Sequence, residues 1–448
     1  MRWDGHRLFG RPPVLAPPAW AAAARLWESL DLPLPAERGV TPSDWCAAAA
    51  SAVPPKTCAF VLVVPDATRV GPWRDALSNL LVSFEHALPT AASRRLLIAS
   101  GTHAPVGMAA IAAHLGLEAS LLSRWETIEN SAENFTTHRE VGRTPAGTSV
   151  RLHPAYLDAD WRVTLGSTSY HYFAGFGAGP KLVFPGCAEP LGAAMNHRRA
   201  VEAREESDWP WRLHPRATAG EVDGNPVHDD IRDAYALAPA HWSISIDAVP
   251  PLEVDPARPV APPLVVEQGE GLAPWRRAIE RHDSAHRVPF TQRPKLLILD
   301  AGGTPRDHTL LQAQKSLQHA LRFTDEGAAI LLAAGLGGGL GSAALRLFAR
   351  EGAALSRAEL ALDRPAGLHV QTLTSLRQAT SHRSVGLWSE LDPTDTRALG
   401  MEPLTSEAEA IDFCRRMGTD RHWGFLPRAE LFLPARGWLG GRTPGARD

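Results

Sequence analysis

AFVLVVPDATR, residues 59–69, is an unbroken apolar run that stops abruptly at Pro65 and Asp66, with Arg69 just beyond. A run so short, continuous and rich in β-branched residues suits a strand buried on both faces, with a loop at its carboxyl end. The same pattern recurs outward from it in RRLLIASGTH (94–103), WRVTLGS (161–167), PKLLILDAGG (294–303), AAILLAAG (328–335) and LHVQTL (368–373). Helical spacing of apolar residues fills the intervals at 73–88, 106–116, 191–206, 308–321 and 406–417, the last opening on a capping box formed by Ser406 and Glu409. Strand alternating with helix predicts an α/β protein with mainly parallel sheets.

A chain of 448 residues is too long for one ordinary core and suits two domains with a site in the cleft between them. The Pro-rich stretch AVPPLEVDPARPVAPPL (248–264), a polar helix and TQRP (291–294) put the boundary near residue 290. That gives an N-terminal α/β domain at 1–290 and a C-terminal α/β domain at 291–448, with the first 55 residues read as an irregular wrap. Hydrophobic residues at 44% and charged residues at 21% exclude a disordered chain. A formal charge of -3 leaves no electrostatic footprint for nucleic acid or an anionic membrane, so the expected partner is a small molecule. No apolar run approaches the roughly 18 residues of a membrane span. The opening MRWDGHRLFGRPP lacks the pattern of a signal peptide. Cys46, Cys58, Cys187 and Cys414 have neither metal-site nor disulfide-framework spacing, and a cytoplasmic location is expected.

Ligands of α/β sheets bind beyond the carboxyl ends of strands. Those ends carry Asp66 and Arg69, then Thr102 and His103, then the dense segment GSTSYHYFAGFGAGPKLVFPGCAEPLGAAMNH at 166–197. In it, Lys181 follows His171 by ten positions, and His197 follows Lys181 by sixteen. GFGAGPK lacks the glycine spacing and the hydroxyl of a Walker loop, but Gly175, Gly177 and Gly179 would let backbone approach a phosphate or a flat ring. His197 lies in a helical pattern that would hold its ring toward this loop.

These residues closely resemble the lactate racemase family, the enzymes that use the nickel-pincer nucleotide. Its pattern is a histidine, FAG, a glycine-rich turn, a lysine, PG and NH, matched by His171, Phe173 to Gly175, Lys181, Pro185, Gly186, Asn196 and His197. DATR (66–69), SGTH (100–103), GNP (224–226) and GGTPRDHTLLQAQK (302–315) are similar to further family signatures, so the resemblance covers most of the chain. It implies that Lys181 carries the cofactor through a thioamide link and that His197 is the protein's ligand to nickel. It implies His103 and His171 as the acid/base pair, and Asp66 with the glycines at the cofactor. Arg69, Gln312 and Lys315 would face the substrate, a 2-hydroxy acid, and the cofactor's biosynthetic enzymes would be partners. Hydride transfer suits such an acid, whose carbon-bound hydrogen is too weakly acidic for a side-chain base. One histidine would take the hydroxyl proton while hydride leaves carbon, and the planar 2-oxo acid could be reduced again on either face.

The chain also departs from the family. Ala104 stands where Arg is usual and Leu311 where Tyr is usual, which suggests a roomier, more apolar pocket and a larger monocarboxylic acid than lactate. NSAENF (130–135) stands where a motif beginning NHD is common, and GAGPK where SGGRK is commoner.

The alternative reading is a diverged homologue that binds the nucleotide or a hydroxy acid without turning it over, though a binder has no need of both His103 and His171. A zinc hydrolase lacks HExxH. Structural roles are expected for His138, His153, His228 and His308, and Cys187 reads as packed. GLGGGLGSA (335–343) lacks the acidic strand end of a dinucleotide fold and reads as a loop near the cleft. Trp388 or Trp423 could cover the site.

Overall fold

The computed structural model describes residues 42–436 except 70, 72–73, 91, 104, 131–136, 205–208, 249–263, 289–291, 356–358, 363–366, 419–422 and 427. Most of the Pro-rich linker, Ala104, most of NSAENF and the first 41 residues therefore lie outside the described residues.

Two sheets organise the chain. The first contains β1 (Ala59–Pro65), β2 (Ser93–Ala99), β3 (Glu126–Glu129), β4 (Trp161–Ser167), β5 (Trp242–Ala248) and β6 (Leu264–Glu270). Their order is β6-β5-β4-β1-β2-β3, parallel throughout except for the β5–β6 pair. The second contains β7 (Leu296–Asp300), β8 (Ala329–Ala333), β9 (Ser384–Trp388), β10 (Glu402–Leu404) and β11 (Trp423–Leu426), ordered β10-β9-β8-β7-β11 and fully parallel. The helices used below are α1 (Pro42–Ser51), α2 (Arg74–Ala87), α3 (Met108–Leu115), α4 (Pro190–Arg198), α5 (Pro226–Leu237), α6 (Ala273–His286), α7 (Leu310–Ala320), α8 (Ala343–Glu351), α9 (Val370–Ser381) and α10 (Glu407–Gly418).

The period-2 geometry of a strand explains why β1 is apolar at every position. Phe60, Leu62 and Val64 enter one core with Leu77 and Leu80 of α2 and Ile111 of α3. Val61 and Val63 enter the opposite core with Val227 and Ile231 of α5. All five strand residues are fully buried, and complete burial of such a side chain stabilises by about 1.5–3 kcal/mol. The second sheet repeats the arrangement, with Leu297 and Leu299 toward α7 and α9, and Leu296 and Ile298 toward Phe413 of α10.

Three expectations change. LHVQTL is helical: Gly367–His369 form a 3-10 turn leading into α9, whose Val370, Leu373 and Leu376 turn one face to the core at helical spacing. The strand of this region is SVGLW, β9. The helix expected over 191–206 ends at Arg198, and Val201–Ala203 then pairs with Trp211–Leu213, sending Val201 and Trp209 into the second sheet's core. The N-terminal wrap contains α1, which buries Trp45, Cys46 and Ala49. At α10 the Ser406 hydroxyl accepts from the Glu409 N–H at 3.2 Å, while the Glu409 carboxylate reaches back to the N–H of Thr405.

Arg287–Val288 pairs in parallel with Leu433–Pro434, so the chain's last described segment returns to the junction between the sheets. The carboxyl ends of β1, β2 and β4 open into a cleft whose other side is formed by α7 and the start of α9. From β7 the chain winds outward through β8, β9 and β10, then returns to the other side of β7 at β11. The crevice at that reversal is where ligands of open α/β sheets bind. No helix among the described residues is long and apolar enough to cross a membrane.

Candidate functional site

The cleft is lined by the residues that follow β1, β2 and β4, by Lys181, by His197 of α4, and on the far side by α7 and the start of α9. Beyond β1, Asp66 is buried at 5% exposure, and its Oδ2 lies 2.6 Å from His103 Nδ1. The Thr68 hydroxyl donates to the same carboxylate at 2.9 Å. Burial acts to raise the Asp66 pKa, but the His103 ring, Arg69 and Thr68 outweigh it and hold the carboxyl at about 2. Asp66, expected at the cofactor, thus uses its carboxylate to hold His103. A carboxylate at Nδ1 fixes the proton there and leaves Nε2 as a lone pair. The loop carrying His103 is pinned from outside, with Gly101 N–H donating to Gly186 O at 3.0 Å and the Glu129 carboxylate accepting from the N–H groups of Val106 and Gly107.

His171 has the opposite arrangement. It sits in a hairpin of Tyr170–His171 with Gly175–Phe176, and its Nδ1 accepts from the Ala174 N–H at 3.2 Å. The neutral ring therefore carries its proton on Nε2. Desolvation in the cleft, then the charges of Lys181, Arg69 and Lys315, push its pKa well below the usual histidine value. Lys181 lies on the short helix Pro180–Val183, with Nζ 5.8 Å from the centre of the Phe173 ring. Burial, followed by Arg69, lowers its pKa to about 7. The His197 ring packs edge-on against Phe173 at 4.9 Å, and its buried Nε2 has no hydrogen-bond partner among the described residues. Desolvation first, then Lys181, His369 and His103, hold it neutral.

The three glycines divide. Gly177 lines the cleft. Gly175 has φ +81°, and a Cβ there would lie 2.0 Å from the Glu221 carbonyl oxygen. Gly179 has φ +52°, and a Cβ there would lie 2.4 Å from the Trp275 indole, whose Nε1 donates to Gly177 O at 2.9 Å. The flat ring that Gly179 admits is the chain's own, so Gly175 and Gly179 shape the loop from behind.

From the second half, Arg69 is faced by Gln312 and Lys315 of α7, whose side chains hydrogen-bond each other. Burial and Arg69 bring the Lys315 pKa down to about 7, partly opposed by Glu430, which is paired with Arg306 at 2.6 Å. Leu311 also lines the cleft, but beside it stand His369, Gln371 and Thr372, so this wall is more polar than Leu311 alone suggests. Burial and His103 push the His369 pKa down to about 4. Sequence reading missed His369 and Gln371 because it assigned their segment to a strand. The helical spacing of Val370, Leu373 and Leu376 was the available signal.

Other histidines brace the frame. His138 bonds Asn130 at 2.8 Å, His153 accepts from Ala155 N–H, and His228 stacks on Trp275. Beneath Tyr170, His282 Nδ1 lies 2.9 Å from Asp247, and His286 stacks on His282 while bonding its carbonyl. These three form a buried group with metal-ligand atom types behind the cleft wall. In the glycine run at 335–341 a Cβ at Gly338 would meet His308 and one at Gly341 would meet Thr309, so at these two positions the chain itself takes the space. Cys187 is buried with Sγ 3.2 Å from Leu182 O, and Trp388 and Trp423 belong to the core.

Residues 46–208 match the lactate racemase N-terminal domain family. The chain is 22% identical over 275 residues to a lactate racemase of Thermoanaerobacterium thermosaccharolyticum, covering 61% of this chain and 59% of that protein. It is 24% identical over 282 residues to a lactate racemase of Lactiplantibacillus plantarum, covering 63% of this chain and 61% of that protein. These alignments span about three fifths of either relative's length. The structure of the T. thermosaccharolyticum lactate racemase apoprotein superposes with a TM-score of 0.73 at 18% identity, covering 97% of each chain. A Thermotoga maritima protein superposes with a TM-score of 0.66 at 15% identity, covering 88% of this chain and 97% of that one. The matched region thus belongs with the lactate racemase N-terminal domain family over residues 46–208, and the chain as a whole has the fold of the lactate racemase apoprotein.

Proposed function

We propose that the chain is a racemase or epimerase of a 2-hydroxy acid, working by reversible hydride transfer with a nickel-pincer nucleotide. In this reading residues 1–290 carry the cofactor and 291–448 contribute substrate contacts. The observation that carries it is that two differently prepared imidazoles, His103 and His171, line one cleft that also holds Lys181 and His197.

The residues fit the cofactor. A buried imidazole nitrogen without a hydrogen-bond partner, as at His197 Nε2, is a ready ligand for a borderline-soft metal such as nickel. An amine with a pKa near 7, as at Lys181, is substantially unprotonated at neutral pH and so nucleophilic enough for acyl attachment. When bound, the nucleotide supplies the hydride acceptor that side chains lack.

The chain's own groups do the rest. Arg69 and Lys315 hold the substrate carboxylate, with Gln312 steadying Lys315. His103 Nε2 takes the hydroxyl proton, and Asp66 stabilises the resulting imidazolium. His171 Nε2–H hydrogen-bonds the substrate oxygen and orients it, and the proton held on His103 goes back to that oxygen when the 2-oxo acid is reduced on either face. The buried walls keep water from the 2-oxo acid while it turns.

The test is metal analysis of protein produced together with the cofactor's biosynthetic enzymes, alongside chiral chromatography of 2-hydroxy acids. About one nickel per chain is expected, and His197→Ala should fold normally yet lose it. Full nickel retention in His197→Ala, or no nickel in the parent, would refute the assignment.

A further inference from the structure

We propose that the cleft wall formed by the start of α9 is a subsite for an additional substrate hydroxyl, so that the substrate is a 2-hydroxy monocarboxylate hydroxylated also at C3 or beyond. This deepens the racemase reading and rests on it. Gln371 is only 3% exposed and lines the cleft, and its Oε1 is buried with no hydrogen-bond partner among the described residues. Buried amides are rarely left this way, because an unpaired polar atom keeps the cost of losing water without recovering a bond. His369 lines the cleft two residues earlier, and the neighbouring Thr372 hydroxyl is already engaged with Tyr172 at 3.1 Å.

The chemistry of these groups selects among substituents. A methyl, as in lactate, or a phenyl ring leaves the Gln371 amide unpaired. A second carboxylate, as in malate, only accepts hydrogen bonds and would oppose Oε1, while Arg69 and Lys315 are committed to the first carboxylate. A hydroxyl both donates and accepts, so it can donate to Oε1 and also meet a neutral imidazole at His369. Sites built to bond a hydroxyl discriminate strongly against analogues that lack it, because their own polar groups are then left unpaired.

The experiment measures kcat/KM of the cofactor-loaded protein for lactate, phenyllactate, malate, glycerate and gluconate, and calorimetric Kd values for the same acids. Glycerate or gluconate should exceed lactate and phenyllactate by roughly 10-fold or more. Gln371→Leu, shown to be folded by its melting temperature, should erase that ratio, and Gln371→Glu, which keeps an acceptor, should retain most of it. Preference for lactate or phenyllactate, or an unchanged ratio in Gln371→Leu, would overturn the subsite while leaving the racemase reading intact. If no acid is turned over, the racemase reading fails and the Kd values decide the subsite. Tighter gluconate than lactate binding, lost in Gln371→Leu, supports it, and equal or absent binding overturns it.

Discussion

Lys56, Lys181, Lys295 and Lys315 are the only lysines in the sequence, all other basic side chains except histidine being arginine. Two of them face the cleft. Arginine cannot give up its proton in a protein, whereas a buried lysine can, so lysine rather than arginine stands at 181, where a neutral amine is useful. At a pKa near 7 about half of each cleft amine is unprotonated at pH 7, against roughly 0.04% of an ordinary lysine. Cyanate, a small reagent for neutral amines, should therefore carbamylate Lys181 and Lys315 before the exposed Lys56 and Lys295, as read by peptide mass spectrometry. The reverse order would mean that enclosure blocks even cyanate, or that both ammonium groups stay charged. His103, His171, Lys181 and His197 were legible one by one, because each sits at a strand end or in a motif. The Asp66 contact was not, since a DxTR signature does not say which way its carboxylate turns.

Among the elements, buried strands were the most legible. A continuous β-branched run ending in polar residues has few other readings, and β1, β2, β4, β7 and β8 lie where such runs are. LHVQTL failed because six residues hold too few turns to separate a period of 2 from one of 3.6. The glycine loop was legible as a place of close approach, but not as to what approaches. Its packing can be measured. Gly179→Ala meets both a positive φ and the Trp275 indole, whereas Gly339→Ala, at φ +68°, has nothing within 4 Å. The second variant should show only the backbone cost of about 1 kcal/mol, and the first should lose a further 1–3 kcal/mol or so from overpacking. Equal losses in denaturant titrations would mean that Trp275 moves aside freely.

At the scale of the molecule, the cleft joins two cores, and contacts made across roughly 200 residues of chain are what sequence spacing conveys least. The junction is stitched partly by buried neutral histidines. His286 bonds the His282 carbonyl, and His319 Nδ1–H donates to Phe432 O at 3.1 Å, beside the pairing of Arg287–Val288 with Leu433–Pro434. Burial lowers His286 to about 3, and lowers His228 and His319 to about 4. In each case the folded pKa lies below the unfolded value near 6.5, so the unfolded chain binds the proton first. Their contribution is intact above pH 6.5. It is lost as pH falls from there toward 4, at about 1.4 kcal/mol per pH unit for each histidine. The lowered Asp66 extends the loss from its unfolded value near 4 down to about 2. Lys181 and Lys315, lowered from 10.5 to about 7 in the folded chain, take up protons first in the unfolded chain, so thermal melts should already decline from pH 8 to 7 and go on declining below 6.5 as the histidines take over. His319→Gln, whose amide can still donate to Phe432 O, should lessen the steepness by one histidine's share. A melting temperature that holds level to pH 5 would require these rings to titrate alike in the folded and unfolded chain, and so to be far better hydrated than their burial in the junction implies.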